Sequence, residues 1–258
     1  MRLPDYLSDW QYHATSGSDK KAHEPPVPAG PLRADGGPRD DRFMIEGHFI
    51  AIEGIDGAGT TTQAARLAAA LRKRGLPVRT THEPTDGPIG ALIRQVLNGR
   101  VVVSGPAGTT SPGWSTLALL FAADRLDHLQ AEIIPNLMDG VTVITDRYDA
   151  SSIAYQGIVS GDAAVSAWIR SINSRARRPD LTIILDVSPE TALERRRLRG
   201  NVPDLFEEEE LQRRLARFYE TIEQYLPGDR VLHLNGNIDA DTVHAGLVAA
   251  VEALRAEG

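Results

Sequence analysis

The chain has 258 residues, 41% of them hydrophobic, a formal net charge of −7 and no cysteine. That length suits one sizeable α/β domain with an appendage and is too short for two ordinary domains with separate cores. The acidic balance argues against general nucleic-acid binding, which needs a broad basic surface, and the missing cysteines exclude disulfides and thiolate metal sites.

A reducing compartment fits the lack of cysteine. No run approaches the ~18 consecutive apolar residues of a membrane span, and the opening MRLPDYLSDWQYHATS lacks the apolar segment of a secretory signal. The expectation is a cytoplasmic protein that neither enters a membrane nor binds nucleic acid. Residues 1–42 hold six prolines, four glycines, and seven acidic against six basic residues. So few aliphatics cannot offset ordering entropy, so a disordered or loosely attached extension is expected there, with Trp10 and Tyr12 the only hint of docking.

From 43 to 258, apolar runs alternate with helical patterns. Strands are expected at 49–52, 78–81, 141–145, 181–187 and 230–234. Helices are expected at 61–74, 89–97, 116–137, 163–175, Pro189–Arg199, 207–225 and 240–254, and 99–113 reads as a long surface loop. Five short strands separated by helices predict a parallel sheet with helices on both faces and ligands at the carboxyl ends of the strands.

The first strand runs into EGIDGAGTTTQ, where Gly54, Gly59 and Thr61 fit a phosphate-binding loop of the form G-x-x-x-x-G-K-[ST]. Such a loop wraps backbone N–H groups around phosphates, here from Gly54, Gly57, Ala58, Gly59, Thr60, Thr61 and Thr62. Thr60 stands where the pattern has lysine. After the strand VTVIT comes DRYDASSIAYQG, with Asp146 able to hold Mg²⁺ or its waters and Arg147 able to grip a phosphate. An Asp-Arg pair after a strand serves as often as a structural ion pair. In LALLFAADRLDHL, Phe121 and Arg125 share one helix face at i, i+4, either as a base platform with a guanidinium or as a core Phe beside a surface Arg. Arg175, Arg177 and Arg178, just before a strand, read as surface charges.

EGIDGAG, the EPT at 83–85, LLFAADR, DRY with S-x-x-A-Y-Q-G, RPDLTIILDVSPE and an arginine-rich segment closing on F-E occur in this order. Together they resemble the thymidylate kinase family from residue 49 to the C-terminal helix. The resemblance implies a P-loop kinase fold with an arginine-rich lid, and transfer of the γ-phosphoryl of ATP to dTMP, with Mg²⁺. It implies that Phe121 stacks on thymine, Arg125 bonds its carbonyl edge and Arg147 holds the dTMP phosphate. Tyr155 would lie against the deoxyribose and disfavour a 2′-hydroxyl, and Ser151, Ser152 and Gln156 would line the base and sugar pocket. Asp56 would contact the acceptor and help organise Mg²⁺, Glu83 would sit near acceptor and metal, and Thr61 with Asp146 would face the metal. ALERRRLRGNVPDLFEE resembles the lid over ATP, with Arg195, Arg196, Arg197 and Arg199. In part of the family a small residue before the last loop Gly, as Ala58 is here, accompanies lid arginines that approach the transferring phosphoryl. Family members are commonly homodimers.

Three features depart from the family. Thr60 removes a cation from the γ-phosphoryl site, His82 stands where Arg is usual, and the lid exit carries Leu205 where Arg is common. The lid arginines are candidates to replace the missing charge. Competing readings are a non-catalytic nucleotide-binding protein of the same fold and a kinase for another nucleoside monophosphate.

Overall fold

The computed structural model describes residues 47–106, 108–162, 164–199 and 209–257; the expected N-terminal extension, the lid exit and the Arg199 side chain lie outside them. Five strands form one parallel sheet: β1 (Phe49–Glu53), β2 (Val78–His82), β5 (Thr142–Asp146), β6 (Leu181–Asp186) and β7 (Val231–Asn235), in the order β2-β5-β1-β6-β7. Strands covered on both faces must be apolar throughout, and β1, FIAIE, is buried at every position. The edge strands β2 and β7 lose one neighbour and tolerate VRTTH and VLHLN, each only partly buried.

Alternation along β1 divides the core. Phe49 and Ala51, with Val143 of β5, pack against Leu129, Ile133 and Leu137, while Ile50, Ile52 and Ile144 join the larger cluster with Leu67 and Leu71. The register pairs Ile50 with Ile144 on one side and with Leu181 on the other. The chain leaves β1 toward β2 at one edge and leaves its neighbour β6 toward β7 at the other, so a crevice opens at their carboxyl ends.

The expected helices appear with adjusted ends: α1 (Thr60–Lys73), α2 (Pro88–Leu97), α3 (Trp114–His128), α6 (Val165–Ile172), α7 (Pro189–Arg199), α8 (Glu209–Tyr219) and α9 (Ala240–Glu257). The single helix expected at 116–137 is α3, a π-helical turn Leu129–Ile133, and α4 (Ile134–Met138). Pro135 lacks an N–H and crowds the carbonyl four residues back, so the ladder slips by one residue. The helix expected at 207–225 ends at Tyr219, and a 3₁₀ turn, Ile222–Tyr225, follows.

Two elements were not anticipated. The 99–113 loop carries an exposed antiparallel hairpin, β3 (Val103–Gly105) with β4 (Gly108–Thr110). DASSIAYQGIVS forms α5 (Asp149–Ser160) although its serines and glycine are poor helix formers. Its N-cap, Tyr148, makes no side-chain cap bond; instead Glu53 Oε1 accepts the N–H groups of Tyr148 at 2.8 Å and Ser151 at 3.2 Å. The cap comes from another strand, which no local pattern announces. Among the described residues no helix is long and apolar enough to cross a membrane.

Candidate active site at the carboxyl ends of the strands

The loop from β1 to α1 turns on glycine. Gly54, Gly57 and Gly59 have φ of 156°, 96° and 98°. The first is nearly extended, and the latter two lie well inside the region that favours glycine. A Cβ on Gly57 would stand 2.5 Å from the Ala192 carbonyl oxygen, so α7 crosses against the loop where only glycine fits. Thr60, 6% exposed, opens α1. The Thr61 hydroxyl donates to Asp146 Oδ2, while Asp146 Oδ1 is buried without a hydrogen-bond partner. One hydroxyl beside one carboxylate, with an unsatisfied oxygen, is a donor set that suits Mg²⁺, which takes few protein ligands and completes its shell with phosphates and water.

Asp56, Glu83, Phe121, Arg125, Arg147, Ser151, Ser152, Tyr155 and Gln156 all line one cleft beside this loop. Arg147 adopts a left-handed backbone, φ 70°, at the strand end. Its Nη1 donates to the Gly54 carbonyl at 2.9 Å and to Ser151 Oγ at 3.0 Å, and its Nη2 to Asp56 Oδ1 at 2.6 Å. The guanidinium lies 5.2 Å from the Tyr155 ring centre. Arg125 is no surface arginine: at 1% exposure it pairs with Glu83 Oε2 at 2.7 Å and donates to Asn173 Oδ1 at 2.5 Å and Ser152 Oγ at 3.1 Å. Its Nε and the Gln156 Oε1 are buried without partners.

Glu83 precedes a cis Pro84 and also contacts His128 Nδ1 at 3.2 Å. Thr85 is fixed to Asp124, which accepts from its N–H at 2.8 Å and its hydroxyl at 2.6 Å, so the turn carrying Glu83 is anchored to α3. His82 is half exposed, 3.6 Å from Asp86, and lines a second, open cleft with Thr61 and Asp146.

Residues 52–244 match the family model for thymidylate kinase. The chain belongs to the thymidylate kinase family. A probable thymidylate kinase of Pyrococcus horikoshii is 38% identical over 208 residues, 81% of this chain and 97% of its own. One of Pyrobaculum calidifontis is 45% identical over 174 residues, 67% and 81% of the two chains. A thymidylate kinase of Xanthomonas campestris pv. campestris is 40% identical over 211 residues, 80% and 85%.

Two arginines of α7 reach the phosphate loop. Arg195 donates to the Ala58 carbonyl at 3.2 Å and to the Gly236 carbonyl at 2.8 Å, and Arg196 donates to the Asp56 carbonyl. Arg197 points away, 3.8 Å from Glu209 and 72% exposed. Arg178, expected as a surface charge, instead bridges Asp149 and Asp229, because the segment before β6 folds over the start of α5.

Sequence reading passed over Glu53 and Gln212. Glu53 is wholly buried, accepting from the Ser151 hydroxyl at 2.5 Å and the Tyr219 hydroxyl at 3.2 Å besides the two amides. Burial pushes its carboxyl up from 4.5 to about 7, against the opposing pull of the Ser151 hydrogen bond and the Arg147 charge. A glutamate ending an otherwise apolar strand was the available signal; Gln212, 159 residues along from it, offered none.

Proposed function

We propose that residues 43–258 form a kinase domain that transfers the γ-phosphoryl of ATP to dTMP, giving dTDP and ADP, in dTTP synthesis. The supporting observation is the convergence of the nine acceptor-side residues on one cleft beside the phosphate loop, in a chain of the thymidylate kinase family.

In this reading the loop's backbone N–H groups, at the start of α1, receive the ATP phosphates. The acceptor enters the cleft with its base on Phe121 and its carbonyl edge toward Arg125, whose guanidinium is fixed by Glu83, Asn173 and Ser152. Arg147, oriented by Asp56, meets the acceptor phosphate; Tyr155 sits against the sugar, and Ser151 and Gln156 line the pocket. Thr61 and Asp146 would hold Mg²⁺, which would supply positive charge against the phosphates. Arg195 and Arg196 bring positive charge to the loop that Thr60 does not supply, with Arg199 a further lid candidate. Phosphoryl transfer asks the protein for alignment and charge stabilisation more than for covalent chemistry, so cations from α7 can serve where a loop lysine is missing. Exposed Leu92, Leu119 and Leu126 on α2 and α3 support a homodimer through that face, and the absence of cysteine supports a cytoplasmic setting.

Steady-state kinetics of Arg147→Ala and Phe121→Ala test the acceptor assignment. Removing a charge-assisted contact is expected to lower kcat/KM for dTMP by about 10–100-fold, with KM for ATP changed little. Unchanged dTMP kinetics in Arg147→Ala would overturn the assignment. The missing lysine favours one other reading, a protein that binds ATP and dTMP without turnover, and dTDP formation by the parent protein excludes it.

A further inference from the structure

Asp56 is the only acidic residue of the phosphate loop, and three elements hold it. Arg147, at the entrance to α5, donates to its Oδ1 at 2.6 Å. Arg196 of α7 donates to its carbonyl oxygen. Gln212 of α8 grips it twice: Nε2 donates to Oδ2 at 2.9 Å, and Oε1 accepts the main-chain N–H of Asp56 at 3.1 Å. Gln212 is itself fully buried.

The chemistry at this position is restrictive. The Asp56 N–H can only donate and its carboxylate only accept, so the partner must offer an acceptor and a donor side by side, as a primary amide does. The same pairing fixes which way the amide faces. With Oδ2 turned to Gln212, Oδ1 faces Arg147, and the Asp56 carboxylate joins the Gly54 carbonyl and Ser151 Oγ in setting the direction of the guanidinium. A buried glutamine on a distant helix therefore ties the backbone and the side chain of one loop residue into a single orientation.

We propose that Gln212 is a positioning residue for the acceptor site, acting through Asp56 to aim Arg147 at the acceptor phosphate. This rests on the dTMP kinase reading given above. A glutamine that merely satisfied polar groups under α8 would affect folding stability, whereas positioning affects the acceptor side selectively.

The test is calorimetric binding of dTMP and of ATP to the full chain and its variants, with thermal melting to establish that each is folded. Gln212→Leu is expected to weaken dTMP binding about tenfold or more while changing ATP binding less than about threefold. In an Asp56→Ala background, adding Gln212→Leu should change dTMP affinity by less than about twofold, because the carboxylate it orients is gone. Gln212→Glu keeps the shape and the acceptor for the Asp56 N–H but sets a carboxylate against a carboxylate. It serves if the leucine variant does not fold, and its expected loss of dTMP affinity is larger than tenfold, roughly. Unchanged dTMP affinity in the folded variants, equal losses for dTMP and ATP, or additive losses with Asp56→Ala would each overturn the proposal. Failure of the parent chain to bind dTMP would instead overturn the kinase reading.

Discussion

A threonine hydroxyl at position 60 carries no charge and reaches less far than a lysine ammonium. Losing one transition-state donor typically costs on the order of ~3 kcal/mol, or ~10²–10³ in rate. The guanidinium groups of Arg195 and Arg196 contact the carbonyls of Ala58 and Asp56, the loop's own backbone, and are the cations available there among the described α7 residues. Combining Arg195→Ala with Arg196→Ala is therefore expected to lower kcat by about 10²-fold or more, with KM for dTMP within about threefold. Undiminished kcat in that variant would mean that the charge comes from elsewhere. At this scale the residues that line the cleft were legible, because EGIDGAG, LLFAADR and DRYDASSIAYQG are compact strings that carry the family resemblance. Residues that act across the fold stayed hidden: Gln212 meets Asp56 across 156 positions.

The dependence of α5 on Glu53 belongs to the scale of elements. Its first N–H groups end on a carboxylate at the tip of β1, so the helix bearing Ser151, Ser152, Tyr155 and Gln156 is registered directly against the phosphate loop. With its carboxyl raised from 4.5 to about 7 by burial, folded Glu53 holds its proton more tightly than the unfolded chain does. Its contribution to stability is full below 4.5, falls by roughly 3 kcal/mol as pH rises through the window from 4.5 to about 7, and is lost above it. Glu53→Gln keeps a neutral acceptor for both amides and removes the titration. Thermal midpoints measured between about pH 5 and about pH 8 should accordingly vary less in the variant than in the parent; parallel profiles would contradict the assignment. Propensity failed at α5 because the helix is capped from β1 and buries Ala150, Ile153 and Ala154 in the core, tertiary contacts that outweigh its local preferences. It failed again at Pro135, where a continuous apolar period hid a π turn.

For the whole molecule, the five-stranded parallel sheet was legible because its strands are buried on both faces and read as short apolar runs between helical periods. Strand order was not, since β1 pairs with β5 and β6 rather than with β2, and that order opens the crevice where the loop and the cleft meet. Sheet, cleft and family together lead to one activity, and the loop without its lysine makes that activity the claim to test. The direct measurement is formation of ADP and dTDP from ATP, Mg²⁺ and dTMP by the purified protein, with dUMP, dCMP, dGMP and AMP in parallel. The expected result is turnover with a preference for dTMP. No turnover with any acceptor, in protein shown to be folded and to bind nucleotide, would contradict it.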